Sequence, residues 1–520
     1  MAWPPTIPFA YHSFILFVLL LSFGSRSCYG FGSQFAFDFH HRYSDPVKGI
    51  LGDEGLPEKG SVEYYVAMAH RDRIIQGRHL AVSNDQSSPL TFSAGNYTYR
   101  IAYLGHLHYA NVSVGTPSLS FLVALDTGSD LFWLPCDCKT KGGGCMDSIG
   151  GVLLNIYSPN SSSTSEIFSC NSSLCTQSQI SQCSNSGSSH CTYTIRYLSD
   201  NTSTTGILVE DVLYLTTDDD HLRGVTPITF GCGQSQTGVF SDGLVPNGLF
   251  GLGMEDVSVP STLARNGLVS NSFSMCFRPD GLGRITFGNN GSSFQKETPF
   301  IVNIGQLHPT YNVSITQIAV GRNSSELGLS VVFDSGTSFT YLTDPAYTFI
   351  SESFNSQVQN KRYPSDIQIP FEYCYELSPN QVYEVPSVNL TMKGGDQYFV
   401  TNPTNVVDTE AGNGVYCLGL LKSEYISIIG QNFMDGYSIV FDRERMVLGW
   451  KDSNCYDDEN STTVAVSPSH SPAASPAVAA NPEANPSIPV APAPLSGHSP
   501  KLQSLTYALT MLLVSFFVIV

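Results

Sequence analysis

One pattern of apolar and polar positions occurs twice in this chain: an apolar run that ends on an acid. Phe121, Leu122, Val123, Ala124 and Leu125 lead into Asp126, Thr127, Gly128 and Ser129, and about two hundred residues later Leu329, Ser330, Val331, Val332 and Phe333 lead into Asp334, Ser335, Gly336 and Thr337. Short apolar runs closed by a hydroxyl, a glycine and a second hydroxyl predict buried strands, each delivering an aspartate into a tight turn. Each copy is followed by a matching element, Gly248-Leu249-Phe250-Gly251-Leu252-Gly253 after the first and Ser427-Ile428-Ile429-Gly430 after the second. Two apolar residues and a glycine can pack closely beneath a turn that carries a carboxylate. A single Asp-Thr-Gly is an ordinary turn sequence. Two copies with matched flanks predict two related β lobes, each contributing one aspartate to a shared cleft.

Composition agrees with many short strands. Only 13% of residues are charged while Ser, Thr, Asn and Gly abound, which suits turns and strands better than long exposed helices. The chain of 520 residues exceeds one ordinary core, so at least two lobes plus processed ends are expected. A net charge of −19 leaves nothing to neutralise phosphates and argues against nucleic acid as a partner. That charge is compatible with an acidic compartment, and equally with simple solubility.

The ends read as addresses. The apolar run over residues 14–23, followed by small residues, predicts a signal peptide over 1–30, with an uncleaved anchor as the alternative. The apolar tail from Thr506 to Val520, preceded by a polar spacer and by small residues at Ser496 and Gly497, predicts a GPI-attachment signal over 501–520 with those two residues as candidate lipid sites. A terminal transmembrane helix is the alternative. Residues 456–500, rich in Pro, Ser and Ala, cannot bury a core and predict an extended stalk. Sequons at Asn96, Asn111, Asn160, Asn171, Asn201, Asn290, Asn312, Asn323, Asn389 and Asn460 add glycosylation candidates to the secretory reading.

Beyond Cys28, which falls in the expected signal peptide, the cysteines are Cys136, Cys138, Cys145, Cys170, Cys175, Cys183, Cys191, Cys232, Cys276, Cys374, Cys417 and Cys455. Their even number in a secreted chain predicts disulfides, with connectivity left open. Zinc is the alternative for the first cluster, but its spacing lacks paired C-x-x-C, so no metal and no cofactor are expected.

Two carboxylates held together can hydrolyse a peptide without metal or covalent intermediate. Like charges at short range cannot both ionise, so one remains an acid while the other acts as a base on water. Ser129 and Thr337 are placed to bond the outer carboxylate oxygens, Thr127 and Ser335 to lock the turns together, and Gly128 and Gly336 to let backbone N–H groups approach. No His-Glu-x-x-His or Gly-x-Ser-x-Gly motif competes, and His190, His221 and His308 read as scattered surface or structural residues.

These turns, together with Val112-Ser113-Val114-Gly115-Thr116-Pro117, Ile428 to Phe433, Val440-Phe441-Asp442 and Leu448-Gly449-Trp450, resemble the pepsin family over roughly residues 100–455. The cysteine-rich stretch from Cys136 to Cys191 resembles its plant nepenthesin-like branch, and the terminal signals resemble GPI-anchored members. The resemblance implies an all-β, bilobal acid-protease fold with a few short helices, an N-terminal lobe over 96–275, a C-terminal lobe over 276–455 and a prosegment over 31–95. It implies a monomeric aspartic endopeptidase acting on polypeptide substrates, with Asp126 and Asp334 catalytic. It also implies a β-hairpin flap, with Tyr197 as its tyrosine and Tyr193 as a second candidate. The usual turn of that flap is replaced by Leu198-Ser199-Asp200-Asn201-Thr202-Ser203. Arg71, Arg73 and Arg78 are expected to meet Asp126 and Asp334 and to hold the prosegment until the carboxylates protonate. An N-terminal strand of the mature protein is the competing reading for part of that segment, and a catalytically inactive binding or inhibitor protein is the competing reading for the whole.

Overall fold

The computed structural model describes residues 34–75, 91–94, 97–100, 104–138, 145–149, 151–172, 175, 181–182, 189–197, 202–216, 223–241, 243–301, 309–364, 369–377, 384–409 and 414–456. The signal peptide, stalk and tail, with Ser496, Gly497, Asn460 and Cys28, lie outside them, as do Arg78, Asn96, Cys183, Asn201, His221, His308 and most of the flap turn.

The fold is mostly β, and the internal repeat is a repeat of topology. The first apolar run forms the strand Leu119–Asp126, buried without interruption from Phe121 to Leu125. Unbroken burial means that both faces are covered. Leu249–Gly251 lies parallel to it, with Gly251 opposite Asp126, and antiparallel to Trp133–Pro135, with Leu249 opposite Trp133. The second half reproduces this arrangement. Ser427–Ile429 lies parallel to Leu329–Phe333, with Ile429 opposite Phe333, and antiparallel to Thr340–Leu342, with Ile428 opposite Tyr341.

Close approach explains the glycine of each matching element. A Cβ on Gly251 would sit 2.2 Å from the carbonyl oxygen of Asp130, and one on Gly430 would sit 2.2 Å from that of Phe339. Any side chain there would push away the backbone that carries the aspartate turn.

The first half belongs to a large sheet that continues through Ser272–Phe277, Leu282–Phe287, Tyr437–Asp442 and Val447–Asp452, and the second half to a separate sheet. Within the large sheet, the strand Phe35–His41 pairs with Leu282–Phe287 over six residues and with His108–Val114 at His40 opposite Tyr109 and His41 opposite His108. The segment expected to be a prosegment is therefore an interior strand here. Its Phe35 and Phe39 are in the principal core, and Val47 and Leu51 of the short helix Asp45–Leu51 are in a second cluster.

The helix Val62–Ile75 starts at Ser61, whose Oγ accepts the Tyr64 N–H at 3.1 Å, an N-terminal cap. It buries Tyr64, Tyr65, Ala67, Met68 and Ala69 against Phe339, Tyr341 and Phe371. On the same face lie Arg71 and Asp72, both buried.

Disulfides join Cys136 to Cys232, Cys138 to Cys145, Cys175 to Cys191, Cys276 to Cys455 and Cys374 to Cys417. Cys170 is also disulfide-bonded. Disulfides thus engage Cys136, Cys138, Cys145, Cys170, Cys175 and Cys191 of the first cluster, and among the described residues no group of His, Cys, Asp or Glu side chains could hold a metal ion. Of the described sequons, Asn111, Asn160, Asn171 and Asn290 are exposed, while Asn312, Asn323 and Asn389 are half-buried in the second sheet and its turns.

Candidate active site

Both aspartates stand at the ends of buried strands, so their carboxylates leave the core where the chain turns. Around Asp126 the Gly128 N–H donates to Oδ1 at 2.9 Å and the Ser129 hydroxyl to Oδ2 at 2.6 Å. Around Asp334 the Gly336 N–H donates to Oδ1 at 2.9 Å and the Thr337 hydroxyl to Oδ2 at 2.6 Å. The two turns are copies down to the atom that receives each bond.

They also interlock. The Ser335 N–H donates to Thr127 Oγ1 at 3.1 Å, and the hydroxyls of Thr127 and Ser335 lie 3.3 Å apart. Both Oδ1 atoms, of Asp126 and of Asp334, lie 3.2 Å from the point where a Cβ on Gly336 would sit. The inner oxygens therefore face one small space. All eight residues expected to build this site come together in it.

Burial raises the Asp334 carboxyl, and the neighbouring Asp126 charge raises it further, to about 6. Burial also raises Asp126, against the opposing effect of its Ser129 and Gly128 hydrogen bonds. Two carboxyls raised by shared burial and mutual repulsion hold a proton between them well into the mildly acidic range.

The Tyr197 hydroxyl accepts the Trp133 Nε1–H at 3.1 Å, and its ring meets Phe240 edge-on. Burial, followed by smaller contributions that include the charge of Asp126, pushes its phenol well above the ordinary value. Tyr193 takes a different place, fully buried, with its hydroxyl 3.1 Å from Thr204 Oγ1 and its ring lying where a Cβ on Gly231 would go. Of the two tyrosines, Tyr197 is the one on which the charge of Asp126 acts. His190 is exposed.

The expected contact between prosegment arginines and the dyad takes another form. Arg71 donates from Nε to the Gly105 carbonyl at 2.6 Å and from Nη1 to the Gly336 carbonyl at 3.2 Å, and pairs with Asp72 at 3.0 Å. Its charge lowers Asp126 and Asp334 slightly, but among the described residues no ion pair joins a basic side chain to either. Asp72 makes the firmer attachment, accepting the Ser338 N–H and hydroxyl, the Phe339 N–H and the Tyr341 hydroxyl. A guanidinium aimed at the dyad would have left Asp72 in the core without a counter-charge, and the buried pair gives each charge a partner.

Sequence reasoning did not single out Asp72 or Trp133. The signal for Asp72 is visible in retrospect: Tyr64, Tyr65, Met68, Arg71 and Asp72 recur at helical spacing, putting a charged pair on an apolar face. For Trp133 there was only its position on the strand after the first turn.

Residues 108–289 match the family model described as xylanase inhibitor N-terminal, and residues 310–452 the one described as xylanase inhibitor C-terminal. The chain is 56% identical over 470 residues to aspartyl protease family protein 1 of Arabidopsis thaliana, a match covering 88% of this chain and 89% of the relative. It is 27% identical over 373 residues to aspartic proteinase nepenthesin-1 of Nepenthes gracilis, covering 68% and 79%. Among solved structures, basic 7S globulin from soybean has the same fold, with a TM-score of 0.52 at 22% identity, over 67% of this chain and 92% of the globulin. The repeated lobes, the copied aspartate turns and this identity along most of its length together mean that the chain belongs to the plant pepsin-like aspartic protease family.

Proposed function

We propose that this protein is a secreted aspartic endopeptidase, made as a zymogen, that hydrolyses polypeptides at acidic pH and is held at the outer face of the plasma membrane by a GPI anchor. The observation that carries the reading is the convergence of Asp126 Oδ1 and Asp334 Oδ1 on one space, each carboxylate held by one N–H and one hydroxyl. A water between the inner oxygens gives a proton to the ionised carboxylate as it attacks the peptide carbonyl, and the protonated carboxyl supports the developing oxyanion. The departing amine then takes a proton from the dyad. Tyr197, tethered by Trp133, closes over the substrate and keeps bulk water out.

The segment 35–75 blocks this site through the helix Val62–Ile75, whose Arg71 and Asp72 grip the turn that follows Asp334. The anchor and secretion rest on the terminal signals alone.

The test is a quenched peptide library assayed between pH 3 and 6, with and without pepstatin, using the parent chain and Asp126→Asn. Pepstatin-sensitive cleavage that the substitution abolishes supports the reading. Release from membranes by a phosphatidylinositol-specific phospholipase supports the anchor, and retention overturns it.

A catalytically inactive binding protein is the second reading, favoured by the match to xylanase-inhibitor models and by the globulin fold. Ligand binding unaffected by Asp126→Asn, with no cleavage at any pH, supports it.

A further inference from the structure

Three histidines that no part of the site uses are buried where the leader segment meets the lobe. His41 ends the strand Phe35–His41, and His106 and His108 lie in the stretch leading into His108–Val114; their side chains are 5%, 4% and 2% exposed. His41 and His108 are direct cross-strand partners, with ring centroids 5.5 Å apart. Between the other two, the Leu107 carbonyl accepts the Arg42 N–H at 2.7 Å, so the same few residues tie the leader segment down. His106 reaches the catalytic turn, its Cε1 lying 3.2 Å from the Cβ position of Gly336, and the neighbouring Gly105 carbonyl is the one that Arg71 Nε holds. His108 hydrogen-bonds the Ser335 backbone.

The neighbours that hold the three imidazoles down are cations and the other rings of the cluster. Arg42, Lys59, Arg71 and His108 face His41, Arg71 faces His106, and His106 and Arg71 face His108. The Tyr43 ring also lies beside His41, Asp72 pairs with Arg71, and the dyad faces His106, since Asp126 Oδ1, Asp334 Oδ1 and His106 Cε1 all lie 3.2 Å from the Cβ position of Gly336. The ring nitrogens are arranged for neutral imidazole. His41 Nδ1 accepts the Tyr43 N–H at 3.2 Å, and Nδ1 of His106 and of His108 has no hydrogen-bond partner among the described residues. A proton on His41 Nδ1 breaks a bond in the turn that leaves the strand. A second proton, on His108, places like charges directly opposite each other on paired strands, next to two buried guanidinium groups.

We propose that His41, His106 and His108 form the acid sensor of this chain, and that their joint protonation expels the 35–75 segment from the dyad. This rests on reading that segment as removable, and it locates the trigger in the histidines rather than in the dyad carboxylates.

Burial, followed by neighbouring cations, holds all three imidazoles below the ordinary 6.5, His108 at about 3. The released chain takes up protons below about 6.5 that the closed chain refuses, so the closed state is fully stable above that pH and weakens as pH falls through the window below it. Uptake of two to three protons changes the open-to-closed ratio by about 100- to 1000-fold per pH unit.

The test uses the full-length chain silenced by Asp126→Asn, so that no self-cleavage follows opening, with amide exchange of the helix Val62–Ile75 measured from pH 7.5 to 3.5. The expected result is cooperative loss of protection below about pH 6.5, shifted down by at least about one pH unit in the triple variant His41→Gln, His106→Gln, His108→Gln. Opening at the same pH in that variant overturns the proposal and assigns the trigger to the carboxylates. Should the triple variant misfold, imidazole C2–H exchange in the chain with its histidines intact decides. Rings that stay uncharged until the helix opens support the sensor, and rings that titrate near 6.5 while the helix remains protected overturn it. Neither readout depends on peptidase activity, so a chain that opens in this way but cleaves nothing retains the sensor and loses the enzyme reading.

Discussion

Asp72 and Ser338 are joined by the backbone N–H of Ser338, donated to Asp72 Oδ2 at 3.0 Å, and by the Ser338 hydroxyl, donated to Oδ1 at 2.8 Å. The pair links the helix of the leader segment to the turn that follows Asp334, so the position of that helix and the geometry of the candidate site are one structural fact.

Replacing Asp72 by Ala leaves the Ser338 and Phe339 N–H groups buried without their acceptor and the Arg71 guanidinium buried without its counter-charge. Breaking such a pair costs about 3 to 5 kcal/mol. Helix Val62–Ile75 of Asp72→Ala is expected to lose amide-exchange protection at pH 7, where the parent is closed, and peptidase activity is expected to appear there without an acid step. A variant as well protected as the parent would show that Asp72 does not hold the segment.

Asp126→Asn and Asp334→Asn are each expected to lower kcat by at least roughly a thousandfold, since either change removes the carboxylate pair that shares one proton. Circular dichroism should be unchanged, because an amide oxygen still accepts the turn N–H. Activity within tenfold of the parent in either variant would refute the assignment.

The raised Asp334 carboxyl gives a pH signature. Between its ordinary value of 3.8 and about 6 the native chain holds a proton that the unfolded chain has lost, so stability falls as pH rises through this window. The melting temperature of Asp334→Asn is expected to exceed that of the parent at pH 7 and to converge with it near pH 4. Catalysis that needs the shared proton should decline in the parent above about pH 6.

Tyr197→Phe removes the hydroxyl that Trp133 reaches and is expected to reduce kcat/KM roughly tenfold with little change in melting temperature, the effect of one hydrogen bond. Tyr193→Phe should do the reverse, lowering stability by about 1 kcal/mol through its bond to Thr204 and leaving kinetics nearly unchanged. Swapped outcomes would make Tyr193 the flap residue.

The Cys276–Cys455 bond closes the longest disulfide loop among the described pairs, with a sequence separation of 179. Its removal by the double substitution to Ala is expected to lower stability by about 3 to 5 kcal/mol in thermal unfolding.

The sequence by itself determined the two lobes and the dyad. Each rests on local physics: an apolar run long enough to be buried, an acid at its end, hydroxyls within reach of that acid, and a glycine where backbones touch. Those constraints are written within a few consecutive residues, and Asp126, Asp334, Gly251 and Gly430 occupy the places that they imply. Only the tertiary structure decided which cysteines pair, that Arg71 turns away from the carboxylates to Asp72, and that His41 comes to lie opposite His108. The reason is that a buried polar group takes its partner from wherever the chain returns, and no periodicity records the place of return. The strand Phe35–His41 shows the difference most plainly: the sequence offered a strand only as a competing reading for part of the prosegment, and its neighbours, 282–287 and 108–114, were chosen by the closing of the sheet.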